Sequence, residues 1–287
     1  MLDLRNTNLH ELPAAILSLG NLVHLFTGSN VKYLDGIGKM QSLQTLKQID
    51  IFLQSSNFFQ ELCQLKNLRK LRLKLGDDPT EVNKECMKVI ASTIYELSTL
   101  SLDSLKIGSE DGIENDYSLD DSFLLEQWCP APRSLRELII SQTILRIPDW
   151  VGSFINLQRL ILIVKSDKQE DLYALGGLPT LSFLILCVKG EAESIGRLTV
   201  SGTSVFACLK VLFFYTDEHR MELVFVEGSM PKLEFLFISF SAAKTETLSY
   251  GVFISVLKTS PALGPFIVHF MALPRALIGL LRSQRLP

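Results

Sequence analysis

Along most of the chain, apolar residues recur in one short figure, Leu-x-x-Leu-x-Leu or a close variant, separated by mixed stretches that are mostly polar. The figure is clearest between Ser134 and Val164. There Leu135-x-x-Leu138-x-Ile140 and Leu157-x-x-Leu160-x-Leu162 stand 22 residues apart. Between them lie Ile147-Pro148, Trp150-Val151 and Phe154. The alternating part predicts a β-strand, and the spacing after the proline predicts about two turns of helix, with Pro148 and Asp149 as start signals. One strand and one short helix cannot bury their apolar faces alone, so such units must stack on copies of themselves.

Read from the start, the figure recurs through the chain. Leu2-x-Leu4, Leu9, Leu12-Pro13, Ile16 and Leu19 form a first repeat, and Leu22-x-x-Leu25 opens a second, with Asn30 placed to bond backbone in the turn after the strand. A third reads Leu46-x-x-Ile49-x-Ile51 and a fourth Leu68-x-x-Leu71-x-Leu73. The period then breaks. Gly76 to Leu100 predicts a longer helix, capped at Asp78 or Thr80, with Val82, Met87, Val89, Ile90 and Ile94 on its apolar face. A fifth strand, Leu102-x-x-Leu105-x-Ile107, precedes the acidic stretch 108–122, a predicted solvated loop. In the second half, strands centre on Leu138, Leu160, Leu184, Leu212 and Leu236, at spacings of 22, 24, 28 and 24, the longest gap holding a predicted surface loop from Glu191 to Thr203.

The fold class expected is α/β: a leucine-rich-repeat solenoid, or horseshoe, with a parallel β-sheet on the concave face and short helices and 3-10 turns on the convex face. The repeat domain is expected over 1–250, with about ten strands. Residues 251–287 lose the figure and carry Pro261, Gly264-Pro265 and Pro274. They are expected to be an atypical, poorly ordered tail from a shifted reading frame or altered splicing. Read one nucleotide earlier, codons for Leu257 to Leu263 can encode Leu-Glu-Asn-Leu-Ser-Ser-Leu, which restores the ending seen at Asn67-Leu68-x-x-Leu71.

Composition narrows the chemistry. Hydrophobic residues make up 47% and mean hydropathy is +0.25, enough apolar material for a continuous core. The net charge of −3 argues against nucleic-acid or anionic-membrane binding by bulk attraction. Five scattered cysteines without Cys-x-x-Cys suggest neither a disulfide framework nor a zinc site. No sequon or signal-peptide pattern is present, and the most apolar stretch of the tail is interrupted, so a cytoplasmic protein without a membrane span is expected. Phosphate-loop, dinucleotide, zincin and nucleophile-elbow motifs are missing. His10, His24, His219 and His269 stand apart, and the pairs Asp77-Asp78 and Asp120-Asp121 lack a calcium-loop pattern. The expectation is no enzyme activity, no metal and no cofactor.

What remains is surface. Alternate residues of a strand face opposite ways. If Leu138 and Ile140 face the core, Glu137, Ile139 and Ser141 face outward onto the concave sheet. The same phase turns outward Lys70, Arg72 and Lys74, then Lys106, then Arg159, Ile161 and Ile163. Phe183, Ile185 and Cys187 follow, then Val211, Phe213 and Tyr215, and finally Phe235 and Phe237. The expected face passes from a basic third to an aromatic and aliphatic third. An exposed apolar patch of that kind marks a contact site for a protein partner. Covering by another part of the protein, or a one-residue slip of phase that buries the aromatics, are the alternatives.

Several longer segments are more specific than the repeat figure. LDLRNTNLHELP with NLVHL resembles the opening of the leucine-rich region in plant intracellular immune receptors. GIGKMQSLQTL, QLKNLRKLRL, LLEQWCPAPRSLRELII, RIPDWVGSFINLQRL and EGSMPKLEFLFISF resemble grass coiled-coil nucleotide-binding leucine-rich-repeat disease-resistance proteins, over about residues 1–250. The resemblance implies recognition of pathogen effectors, or of host proteins altered by them, and restraint of the receptor's own nucleotide-binding (NB-ARC) module. That family's nucleotide-binding motifs have no counterpart in this sequence, so the resemblance carries over no nucleotide-site residue. A truncated product is expected, since Met1 adjoins a repeat strand. A non-functional structural fragment and a ubiquitin-ligase substrate adaptor are the competing functional readings.

Overall fold

The computed structural model describes residues 1–74, 84–108, 133–165, 169–189, 197–200, 205–216, 222–226, 228–240, 255–256 and 266–270. The described residues fall into two compact units, one reaching Leu138 and the other starting at Ile139.

The first unit carries strands β1 (Leu2–Asp3), β2 (His24–Phe26), β3 (Thr45–Asp50), β4 (Lys70–Lys74) and β5 (Ser104–Ile107). They lie side by side in chain order, all parallel. Their register aligns one leucine per strand: Leu2 with Leu25, Leu25 with Leu46, Leu46 with Leu71, and Leu71 with Leu105. Leu25, Leu46 and Leu105 are fully buried, and each such side chain contributes about 1.5–3 kcal/mol relative to exposure.

This register corrects the reading of the third repeat. Leu46 is the counterpart of Leu71, not of Leu68, so the figure there begins at Leu43-x-x-Leu46. Strict alternation after Leu46 would turn Gln48 inward. A β-bulge between Leu46 and Ile49 adds one residue, with Gln48 at φ 65, and returns Ile49 to the core opposite Leu73. Two apolar triplets offset by three residues made the frame ambiguous.

The stretches between these strands form 3-10 turns at Ala14–Ser18 and Ile37–Lys39, helix α1 (Ser56–Leu62) and helix α2 (Lys84–Leu100). The hydroxyl oxygen of Ser55 caps α1 by accepting from the Phe58 N–H at 3.1 Å. Phe58, Phe59 and Leu62 of α1 are buried, as are Ile90, Ala91, Ile94 and Leu97 of α2, and the Thr93 hydroxyl donates to the Phe59 carbonyl at 3.3 Å. The turn after β2 does not use Asn30, which is exposed and accepts only from the Ser29 hydroxyl at 3.3 Å. Gln54, from the following repeat, serves the buried backbone instead. It accepts from the Tyr33 N–H at 2.8 Å and donates to the carbonyls of Val31 at 3.2 Å and Asp50 at 3.0 Å.

The second unit holds a sheet in the order β6, β7, β8, β10, β12, β14. These are Glu137–Ile144, whose first two residues belong to the first unit, then Arg159–Val164, Phe183–Val188, Val211–Thr216, Phe235–Phe240 and Phe266–Phe270. Leu160, Leu184, Leu212 and Leu236 stand in line across adjacent parallel strands, each buried, as their regular spacing in the sequence implies. The 3-10 turn Asp149–Ser153 buries Trp150 and Val151, and helix α3 (Gln169–Gly176) buries Leu172 and Leu175.

A second, three-stranded parallel sheet joins β9 (Arg197–Val200), β11 (Glu222–Phe225) and β13 (Ser255–Val256). The loop expected from Glu191 to Thr203 therefore contains a strand. Arg197-Leu198-Thr199-Val200 alternates polar and apolar residues, a strand signal at the shortest usable length that the loop reading passed over. Two short stretches of the expected tail, Ser255–Val256 and Phe266–Phe270, are strands, and the second pairs with β12. Most of the predicted acidic loop, the helix start near Asp78 and the rest of the tail lie outside the described residues.

Candidate partner-binding faces

In the first unit, the side chains that alternate with the buried leucines form rows across β2 to β5. His24, Thr45, Lys70 and Ser104 occupy matched positions on successive strands. Phe26 is matched to Lys47, and Arg72 to Lys106. Asp50 is matched to Lys74. Lys70 is exposed, while Arg72, Lys74 and Lys106 are part-buried. The register thus brings together all four basic residues that the sequence analysis placed here.

Several neighbours went unrecognised in the sequence. Phe26 lies between two cations: the Arg5 guanidinium is 5.2 Å and the Lys47 ammonium 4.7 Å from its ring centre. The His24 ring nitrogen Nδ1 is 3.0 Å from the Thr45 hydroxyl. Glu137 accepts a short hydrogen bond from the Ser104 hydroxyl and lies 3.9 Å from the Lys106 ammonium. Lys47 was missed because the third repeat was framed three residues late; the figure starting at Leu43 turns both Thr45 and Lys47 outward. At the other side of the rows, Asp3 pairs with Arg5 at 2.6 Å, and hydrogen bonds from Arg5 hold the Asp3 carboxyl down to about 2.

The second unit carries the apolar face. Ile139, Ile161, Ile163, Ile185, Cys187, Phe213 and Tyr215 form one cluster, with Phe183, Val211, Phe235 and Phe237 packed against it. These are the residues that alternation turned away from the leucine line, so the phase holds without a slip. Their exposure differs from expectation. Ile161 and Ile185 are each 1% exposed, Phe213 4% and Tyr215 1%, whereas Phe183, Phe235 and Phe237 are part-buried. Alternation assigns a side chain to a face and says nothing of how far that face is covered. In-register parallel strands, about 4.8 Å apart, bring large side chains of neighbouring rungs into contact.

The rings run in series. Phe213 lies 5.9 Å from Phe183, 5.2 Å from Phe235 and 5.6 Å from Phe237, and Tyr215 lies 5.5 Å from Phe237. The Arg159 guanidinium stacks over Phe183 at 3.9 Å. Burial, and after it the nearby Cys187, raises the Tyr215 phenol above its ordinary range. The face therefore consists of a buried floor, Ile161, Ile185, Phe213 and Tyr215, and a reachable rim, Arg159, Phe183, Phe235 and Phe237. Among the described residues, no group of three His, Cys, Asp or Glu side chains is placed to hold a metal ion, and no helix is long and apolar enough to cross a membrane.

Parallel strands with an aligned, buried leucine in each of β2 to β8, β10 and β12, joined through helices and 3-10 turns, define a leucine-rich-repeat fold. The family model for the leucine-rich repeat region matches residues 1–264, and the chain belongs to that family. Among its relatives are rice disease resistance proteins. It is 29% identical over 244 residues to disease resistance protein RGA5 of Oryza sativa subsp. japonica, a match covering 84% of this chain and 21% of that protein. PIK6-NP from the same organism is 27% identical over 225 residues, covering 71% and 20%. Pik-2, also from rice, is 29% identical over 223 residues, covering 71% and 21%. The chain thus spans about a fifth of the length of the curated relatives it matches.

Proposed function

We propose that this chain is the non-enzymatic protein-recognition module of a cytoplasmic plant immune receptor. In this role it senses a pathogen effector, or a host protein altered by one, and restrains the receptor's nucleotide-binding module until that contact is made. The observation that carries the reading is the rim of Arg159, Phe183, Phe235 and Phe237 over a packed apolar floor. Large aromatic and Arg side chains, rigidly backed and open on one side, are the usual anchors of protein interfaces. Similarity to rice disease resistance proteins supports the same role.

The floor residues act through the rim. Ile161, Ile185, Phe213 and Tyr215 hold the rings in place and need not touch the partner. Replacing Phe183, Phe235 and Phe237 by alanine in the full-length receptor is therefore expected to remove the effector-dependent defence response in leaf cells, or to release it constitutively, at unchanged protein level. Each ring at the centre of an interface accounts for about 1–2 kcal/mol or more. A response that keeps both its effector dependence and its strength in the triple variant would overturn the reading.

A further inference from the structure

We infer that Cys208 and Lys232 form a modification site at which a hydroperoxide couples the thiol to the amine, joining two successive repeats through a sulfur–nitrogen bond. The inference goes beyond the immune-receptor reading and stands without it. The Lys232 ammonium donates to the Cys208 sulfur at 3.7 Å. The two residues are 24 apart in the chain, and the strands that follow them are in register at that same offset, Val211 against Phe235. These are β10 and β12, the strands that carry Phe213, Phe235 and Phe237.

The backbone on both sides explains why the pair meets. Phe206 to Leu209 and Met230 to Leu233 are equivalent turns. In each, the last N–H donates to the first carbonyl, Leu209 to Phe206 at 3.1 Å and Leu233 to Met230 at 3.2 Å. Phe206, Leu209, Met230 and Leu233 are all buried, so each turn is anchored at both ends. Cys208 and Lys232 hold the third place of their turns and stand side by side on successive rungs. Just beyond them, Lys210 pairs with Glu234 at 3.0 Å, and the Glu234 N–H donates to the Lys210 carbonyl at 2.8 Å. The stack thus sets the backbone positions of the pair, and two reactive groups held in place react far faster than two that must meet by diffusion. Cys208 is half-buried and Lys232 exposed, so a small peroxide reaches the sulfur. Cys187, by contrast, is buried, and the Cys63 thiol faces the Thr93 carbonyl at 4.0 Å.

The reaction runs in two steps. The Cys208 thiolate attacks one oxygen of the hydroperoxide. A sulfur–oxygen bond forms, the oxygen–oxygen bond breaks, and the departing oxygen is protonated and leaves as an alcohol or as water. The sulfenic acid so formed has an electrophilic sulfur. The deprotonated Lys232 amine attacks it, a sulfur–nitrogen bond forms, the sulfur–oxygen bond breaks, and the hydroxyl leaves as water with a proton from the nitrogen. The thiol loses two electrons, the peroxide gains them, and the product is a sulfenamide.

The test is peptide mapping of the full chain after treatment with hydrogen peroxide. Trypsin is expected to release peptide 198–210 joined to peptide 221–244, uncut at Lys232 and two hydrogens lighter than the separate peptides, apart from any oxygen added at Met221 or Met230. Dithiothreitol should separate the peptides and restore cleavage at Lys232. Lys232→Arg keeps the charge and removes the primary amine. In that variant the joined species should be lost, and dimedone should capture the sulfenic acid at Cys208 instead. Cys208→Ser should lose both products. Urea unfolding matching that of the parent checks that both variants fold, and the map of the parent decides the question even where one does not. A parent in which Cys208 stays a thiol, goes on to sulfinic acid unjoined, or joins a different lysine would overturn the inference. So would a joined species that persists in Lys232→Arg.

Discussion

Gln54 shows how much of this fold rests on single polar residues. It closes three buried backbone groups that no apolar side chain could satisfy, and leaving such groups unpaired costs about 1–3 kcal/mol each, partly offset by water where it can enter. Gln54→Ala is expected to lower unfolding free energy by about 3 kcal/mol in urea titration. Two titrating groups give further checks. Burial, then the carboxylate of Glu96, pushes the Cys63 thiol up to about 12. At mildly alkaline pH it holds little thiolate, so its alkylation, followed by mass spectrometry, should be about a hundredfold slower than that of a free cysteine. Burial also raises the phenols of Tyr33 and Tyr215 above their unfolded value. A raised folded pKa keeps its full stabilising effect below the unfolded pKa and loses it above, so stability should fall as pH climbs past about 10. Absorbance of phenolate against pH, native and in urea, reads the difference.

At the scale of the element, the leucine figure was legible and its frame was not. Where an insertion-free repeat surrounds the figure, as from Leu157 to Leu162, the sequence alone names both the core residues and the outward ones. In β3 two figures overlap, and only the pairing of Leu46 with Leu71 separates them. The bulge that resolves the overlap holds Gln48 at a φ that L-residues adopt at a cost. Gln48→Gly should therefore raise stability by up to about 1 kcal/mol, and Gln48→Val should lower it by a similar amount. The outward residues were assigned to their faces correctly from alternation. Their covering was not readable, because it depends on side chains of other strands and on packing that no local pattern encodes. The basic rows were only partly readable for the same reason: Lys47 and Phe26 meet through register, not through sequence proximity.

For the molecule as a whole, each unit is a stack in which a rung is stabilised by the rungs on either side of it. Substitution in the middle of a stack should cost more than at its end. Leu184→Ala, with Leu160 and Leu212 on either side, is expected to cost about 3–5 kcal/mol. Amide exchange should follow the same order, slowest in β7, β8 and β10 of the second unit and fastest in the two-residue β1 of the first. Equal protection of β1 and β4 would contradict nearest-neighbour stacking within the first unit.

The bond from the Tyr33 amide to Gln54 joins a turn in one repeat to a side chain contributed by the next. Genes built of tandem units tend to evolve by exchanging, duplicating or losing whole modules, and such trade is cheap only where modules are interchangeable. These two are matched. A recombination breakpoint between them would pair Tyr33 with a stranger and strand two backbone groups, the Tyr33 N–H and the Val31 carbonyl, in a dry interior, so viable crossovers should fall elsewhere along the gene.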